Sequence, residues 1–130
     1  MDKTSLSKSV IYDKQGKPRL FFSNKNDLIT FRGTFVGFLK GDALYDYNGV
    51  QRGWFENGAM RDMRGNFVGF TTDMSDDFHP LLPLKKLLPI SPMVPLAPLR
   101  PLTQLKKLKP LKTLYWSQKD PVSLFEVGKA

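Results

Sequence analysis

Two different periods of apolar residues divide this chain. The first runs through residues 10–72 and repeats about every 16 residues. A large aliphatic residue (Ile11, Leu28, Leu44, Met60) precedes a glycine (Gly16, Gly33, Gly49, Gly65) by five positions. Four residues after that glycine comes a second one (Gly37, Gly53, Gly69, with Leu20 in the first unit), followed at once by an aromatic: Phe21, Phe38, Trp54 and Phe70. The phrases RGTFVGF (32–38) and RGNFVGF (64–70) are two copies of this unit. A fixed short period is the mark of a repeat architecture. Sixteen residues are too few for a helix pair and suit two short strands with two tight turns.

Turn chemistry supports that reading. Asp13, Thr30, Asp46 and Asp62 stand three residues before the first glycines. Asp at the first and Gly at the fourth position is the signature of a type I turn, in which the carboxylate can accept the turn's own N–H groups. Between units lie Asn24-Lys25-Asn26, Lys40-Gly41-Asp42 and Asn57-Gly58, of which Asn-Gly is the strongest short hairpin signal. The pattern predicts an all-β body of four β-hairpin units. A single hairpin cannot bury its own apolar face, whereas four equal units can close a ring. The expected core of that pseudo-fourfold closed arrangement is a shared layer of Phe21, Phe38, Trp54 and Phe70. Gly37, Gly53 and Gly69 would allow close backbone approach.

The second period is three. Every third residue from Leu81 to Leu114 is large and aliphatic, twelve positions in succession. The residue before each is proline except at Lys86, Gln104, Lys107 and Thr113. Three residues per turn belongs to neither helix nor strand but to polyproline II. Thirty-five such residues would extend roughly 110 Å, about three times the ~36 Å diameter of a compact globule of this length. A stripe of this kind is built to lie against something apolar. The expectations are that it wraps the β body, packs on tails of other subunits, or projects to a partner.

Charge sharpens the division. Of a net charge of +8, residues 80–114 supply seven basic side chains and no acidic one. This opens a competing class, a polyanion binder taking nucleic acid or an anionic membrane through the tail. Against it, the segment has no aromatic for base stacking. Pro95 to Arg100 matches PxxPx+, the pattern read by SH3-type grooves, but any Pro-Leu repeat yields PxxP by arithmetic. Candidate interaction residues are Leu96, Leu99, Arg100, Leu102, Lys106, Lys107 and Lys109.

The units and tail together resemble the bacterial four-fold beta flower domain proteins. The resemblance rests on IYDKQG (11–16), LYDYNG (44–49), the glycine–aromatic pairs and the tail ending in TLYWS (113–117). It implies an all-β, pseudo-fourfold fold and carries over no catalytic residue. Unit two has Ile29-Thr30 where others have Tyr-Asp, and unit four has Arg61 in place of Tyr.

Other chemistry is thin. With no cysteine there is no disulfide and no thiolate site. No nucleophile elbow, phosphate loop, dinucleotide fingerprint or HExxH occurs, so no enzyme and no cofactor are expected. Asp73, Asp76, Asp77 and His79 fit no standard metal-ligand spacing, and no metal is expected. The N-terminal MDKTSLSKSV lacks an apolar signal region and the longest apolar run is too short to span a bilayer, so the expected location is cytoplasmic. The expected organisation is a four-repeat β domain (1–78), a Pro/Leu-rich polyproline II segment (79–114) and an anchor (115–130). In the anchor, Tyr115 and Trp116 fix the tail and Ser123–Glu126 form a short helix. The expected role is a small structural or protein-interaction module, acting through a protein partner or self-association.

Overall fold

The computed structural model describes residues 10–90 and 93–126; the N-terminal stretch and Pro92 lie outside them. Eight antiparallel strands close into a barrel in chain order: β1 (Val10–Tyr12), β2 (Pro18–Phe22), β3 (Asp27–Thr30), β4 (Phe35–Lys40), β5 (Ala43–Tyr45), β6 (Gln51–Glu56), β7 (Ala59–Asp62) and β8 (Phe67–Phe70). Pairing of β1 with β8, Tyr12 opposite Phe70, completes the ring. The fold is therefore all-β, and each 16-residue unit is one hairpin.

The four units are held by one local device used four times. Asp13 Oδ1 accepts the N–H groups of Gln15 and Lys17, both at 2.9 Å, and Asp46 and Asp62 do the same for the residues two and four places on. Thr30 substitutes its hydroxyl in unit two, accepting from Arg32 and Thr34. The glycine that ends each turn donates its own N–H back to the first residue's carbonyl, at 2.9–3.1 Å. Between units, Asn57 and Gly58 both have positive φ (53° and 77°), as a two-residue hairpin turn requires.

Each unit also carries a β-bulge at the same place. Leu28 faces Gly37 but Ile29 faces Phe35, leaving Val36 as the extra residue; Arg19, Arg52 and Val68 hold the equivalent places. Val36 and Val68, from the two near-identical phrases, pack with the barrel interior, whereas Arg19 and Arg52 turn to the carboxylates of Asp13 and Asp46.

The interior is filled by the aliphatic column (Ile11, Leu28, Leu44, Met60), by Leu20 and Val68, and by Leu124 and Phe125 from the chain's own C-terminal part. That part forms a short 3-10 helix, Ser123–Phe125, whose start is tied by Asp120 Oδ1 accepting the N–H groups of Val122 and Ser123 at 2.8 Å. Gly37, Gly53 and Gly69 face this plug. A Cβ at Gly37 would strike the Phe125 ring, one at Gly53 would approach Leu124, and one at Gly69 would approach Pro121. At least as near are the carbonyls of the adjoining strand, Tyr45 at Gly37, Arg61 at Gly53 and Tyr12 at Gly69, so the glycines admit close approach of the neighbouring backbone as well as the plug.

The expected shared aromatic layer is corrected. Phe21, Phe38, Trp54 and Phe70 are all buried, but in two clusters on the outer face of the barrel: Phe21 and Phe70 in one, Phe38 and Trp54 in the other. Adjacent strand residues point to opposite faces, so a glycine aimed inward sends the following aromatic outward. Each aromatic then lies across from the neighbouring strand's Ile29, Tyr45, Arg61 or Tyr12.

Gly49 provides a direct test. Its φ is +81°, and a Cβ there would overlap the Leu102 carbonyl of the tail; Gly41 has a φ of +66° and open space around it. Gly41→Ala is expected to cost about 1 kcal/mol from backbone strain alone. Gly49→Ala should cost about 2–4 kcal/mol, because the tail must also move. Equal losses for the two variants in denaturant unfolding would mean that the tail contact contributes nothing.

Candidate interaction surface

Residues 79–113 contain neither helix nor strand among those described. They run around the outside of the barrel and pass the four turn glycines in order. Backbone atoms of Leu84, Met93, Leu102 and Leu111 lie nearest Gly16, Gly33, Gly49 and Gly65 respectively. The tail therefore advances nine residues for each hairpin unit. Nine residues of extended chain span about 28 Å, so four quarters make roughly 110 Å. That is the circumference of a circle ~36 Å across, the size expected of the whole globule. The tail's length matches one circuit of the body it surrounds.

Three sides of this belt have separate tasks. The first is the proline column. At its four breaks, the freed N–H groups all donate to the body: Lys86 to the Gly16 carbonyl (2.8 Å), Gln104 to Gly49 (2.8 Å), Thr113 to Gly65 (3.1 Å) and Lys107 to Gln51 Oε1 (2.9 Å). In the Gly33 quarter the corresponding residue is Pro95, which has no N–H to give. The second side carries the long cations. Arg100 pairs with Asp27 (3.0 Å) and lies over the Phe38 ring (4.7 Å to its centroid). Lys109 bridges Asp42 (2.7 Å) and Glu56 (3.0 Å) over Trp54, Lys106 joins Asp42 (2.9 Å), and Lys112 reaches Asp76 (3.1 Å). Lys85 lies over Phe70.

The third side is the aliphatic column, and it faces away from the barrel. From Leu81 to Leu111 its eleven members are 89–97 % exposed, and Leu114 is half exposed. The chain wraps the body, but the expectation that the stripe itself lies on the body is overturned. The physical reason is competition for the inner sides. Turn carbonyls attract the N–H groups, and carboxylates and aromatic faces attract the cations, so the aliphatic side is left opposite both.

The candidate residues are accordingly split. Leu96, Leu99 and Leu102 point out; Arg100, Lys106 and Lys109 point in; Lys107 is held by its backbone. With its guanidinium on Asp27 and Phe38, Arg100 is not presented in the way a PxxPx+ ligand presents its base.

Arg61 closes the circuit. Its guanidinium donates to the carbonyls of Phe78, where the belt begins, and of Thr113 (2.8 Å), where it ends, and also to Gly65 (2.7 Å). Burial pushes its pKa down, while Asp76, Asp62 and Glu56 push it back up. The replacement of Tyr by Arg in unit four is thus the clasp of the belt, which sequence reading missed although the departure was visible. The four N–H donors were also missed. Their signal was the breaks at Lys86, Gln104 and Thr113, which are separated by multiples of nine residues.

Beyond the clasp, Phe67 and the belt's end pair as a short parallel bridge to Trp116, whose ring meets Phe67 edge-on at 5.0 Å. Tyr115 contributes its carbonyl to the Phe67 N–H but leaves its ring exposed, so of these two aromatics Trp116 alone anchors through its side chain. His79 sits beside Phe67 with Nδ1 2.7 Å from the Pro80 carbonyl. Among the described residues no group of three His, Cys, Asp or Glu side chains is placed to hold a metal ion, and no helix is long and apolar enough to cross a membrane.

A closed barrel of four hairpins cinched by a tail defines the class of protein. Residues 9–125 match the family described as 4-fold beta flower protein, and the chain belongs to it. No curated protein and no solved structure is matched.

Two measurements test the belt's inner sides. Lys86→Pro completes the proline column yet removes the donor to the Gly16 carbonyl. It should lower stability by about 1 kcal/mol, whereas Lys86→Ala should stay within about 0.5 kcal/mol of the native chain. A stabilised Lys86→Pro variant would show that the N–H is dispensable. The second is pH. Hydrogen bonds from Lys109 and then Lys106 hold the Asp42 carboxyl at about 2. A carboxylate with a lowered pKa stabilises the fold above its ordinary value and loses that contribution as pH falls. The melting temperature should therefore drop further between about pH 4 and pH 2 in the native chain than in Asp42→Asn. Parallel curves for the two would show that the belt cations do not stabilise the fold through Asp42.

Proposed function

We propose that this protein is a non-enzymatic interaction module whose barrel serves to hold an aliphatic belt outward. One observation carries the reading: every third residue from Leu81 to Leu111, eleven described positions, exposes a large aliphatic side chain, while the N–H groups of Lys86, Gln104, Lys107 and Thr113 and the cations of Arg100, Lys106, Lys109 and Lys112 are engaged with the body. Monomeric proteins rarely expose a continuous apolar patch larger than a few hundred Å² unless something binds there. The nine-residue spacing, three turns of three residues, supports a polyproline II winding for the belt. The turn carboxylates are committed to turn N–H groups and to Arg19, Arg52 and Ser117 rather than gathered into a catalytic cluster.

The competing class, binding of nucleic acid or an anionic membrane through the basic tail, draws less support. Arg100, Lys106, Lys109 and Lys112 face carboxylates of the same molecule, so a polyanion would have to displace Asp27, Asp42, Glu56 and Asp76.

In-cell photo-crosslinking tests the proposal. With p-benzoylphenylalanine placed at Leu99, a discrete higher-mass adduct is expected, and none with the same residue at the exposed Lys14. The absence of any adduct from Leu96, Leu99 and Leu102 alike would refute an interaction role for the belt. Tight retention on heparin that weakens steeply with salt would favour the polyanion class instead.

A further inference from the structure

Arg61 closes the belt, and one of its donors is left over. Its two Nη groups donate to the carbonyls of Gly65, Thr113 and Phe78, but the buried Nε–H has no acceptor on the protein. The ion pair with Asp76 does not supply one. Nη2 stands 3.9 Å from Asp76 Oδ2, beyond hydrogen-bond reach, although the two side chains are only 6 % and 5 % exposed. Opposite Arg61 on the neighbouring strand lies Trp54, also buried, and its indole N–H is unpaired too. A buried N–H without an acceptor has lost its hydration and gained nothing in return, so two of them at facing positions point to a ligand that accepts.

Trp54 and Arg61 line one small cavity between barrel and belt, together with Glu56, Asp76, Lys109 and Lys112. Its volume, about 10 Å³, is that of a single water-sized sphere. We infer that this cavity is a binding site for one water molecule, which accepts from Trp54 Nε1 and Arg61 Nε and donates to Asp76 Oδ2, so that the clasp of the belt is a water-bridged ion pair.

Charge selects water among ligands of that size. An anion would lie beside the carboxylates of Asp76 and Glu56, and a cation beside the Arg61 guanidinium and the Lys109 and Lys112 ammonium groups. A neutral molecule that both accepts and donates suits the two sides at once. Asp76 Oδ2 has the capacity for it. Lys112 Nζ stands 3.1 Å away as an ion pair, and a carboxylate oxygen accepts more than one hydrogen bond. The separation of Arg61 and Asp76 fits the same arrangement, since a polar pair held beyond about 3.5 Å is the usual setting of a bridging water. A direct bond between the two would serve one of the two spare donors at most; a water at the junction serves both. The bridge joins β6 and β7 to Asp76, just before the belt begins, and through Lys112 to the belt's end.

A crystal structure of the full chain that resolves ordered solvent is the test. It should place one water about 2.7–3.2 Å from both Trp54 Nε1 and Arg61 Nε. A cavity without density overturns the inference, as does either donor found on a protein oxygen such as Glu56 Oε1. An anomalous peak there in a bromide-soaked crystal makes the occupant an anion and overturns it as well. In solution, the Trp54 indole N–H should show a cross-peak to water with the sign of a long-lived bound molecule. Ala59 lines the cavity, so Ala59→Val, which puts methyl groups into it, should abolish that cross-peak. With the water displaced and two donors unpaired, the Thr113 amide, bonded to Gly65 beside the clasp, should exchange with solvent at least about fivefold faster. The Gln104 amide, bonded to Gly49 one quarter of the circuit away, should keep its rate. Equal changes at the two amides would show that the water does not hold the clasp. Should Ala59→Val fail to fold, the crystal and indole measurements on the native chain still decide.

Discussion

Everything outside the barrel depends on a backbone contact between the belt and the turn glycines. A left-handed glycine with no side chain lets the belt segment lie directly on the turn, and its carbonyl then accepts an N–H from that segment. The contact recurs at Gly16, Gly49 and Gly65, with donors from Lys86, Gln104 and Thr113. Any side chain at the glycine would lift the belt away. Proline at the donor position would remove the bond, as at Pro95, where the chain passes without one. The spacing of those donors sets nine residues of belt to one hairpin, and hence one circuit to the whole tail.

The inside of the barrel uses the same economy in the opposite direction. The second set of glycines opens the interior, and the chain's own C-terminal part occupies it with Leu124 and Phe125. The chain therefore builds the barrel, encircles it once, and then enters it. Arg61 joins the beginning and end of the circuit with hydrogen bonds to Phe78 and Thr113, while Asp76 and Lys112 supply charge beside it. Burial works against the Asp76 carboxylate, but the Phe78 N–H and the Lys112 ammonium outweigh it and keep its pKa low.

The distribution of charge follows from this packing. A basic tail suggests an outward electrostatic surface, yet most of its cations turn inward to carboxylates and aromatic rings of the body. What faces out is aliphatic. Exposed ion pairs individually contribute only about 0–1 kcal/mol, so their role is to orient the tail rather than to supply most of the binding. The aromatic clusters beneath the cations and the backbone bonds at the glycines hold the tail down.

The sequence by itself determined the elements that depend on local chemistry. Four hairpins were legible because Asp-x-x-Gly and Asn-Gly encode turn geometry within four residues, and closure was legible because four equal apolar faces need one another. The three-residue stripe was legible because its spacing is local too. Which side of each element faces where was decided only by the tertiary structure. Gly37 and Phe38 must point to opposite faces of a strand, but nothing near them says which face is inside; the C-terminal plug settles it. The leucine stripe looked like the adhesive side of the tail because apolar surface seeks burial. The closed barrel instead offered turn carbonyls, carboxylates and aromatic faces, partners for the other two sides. Arg61 read as an imperfect repeat because its three carbonyl partners lie at Gly65, Phe78 and Thr113, and these meet only after the chain has made its circuit.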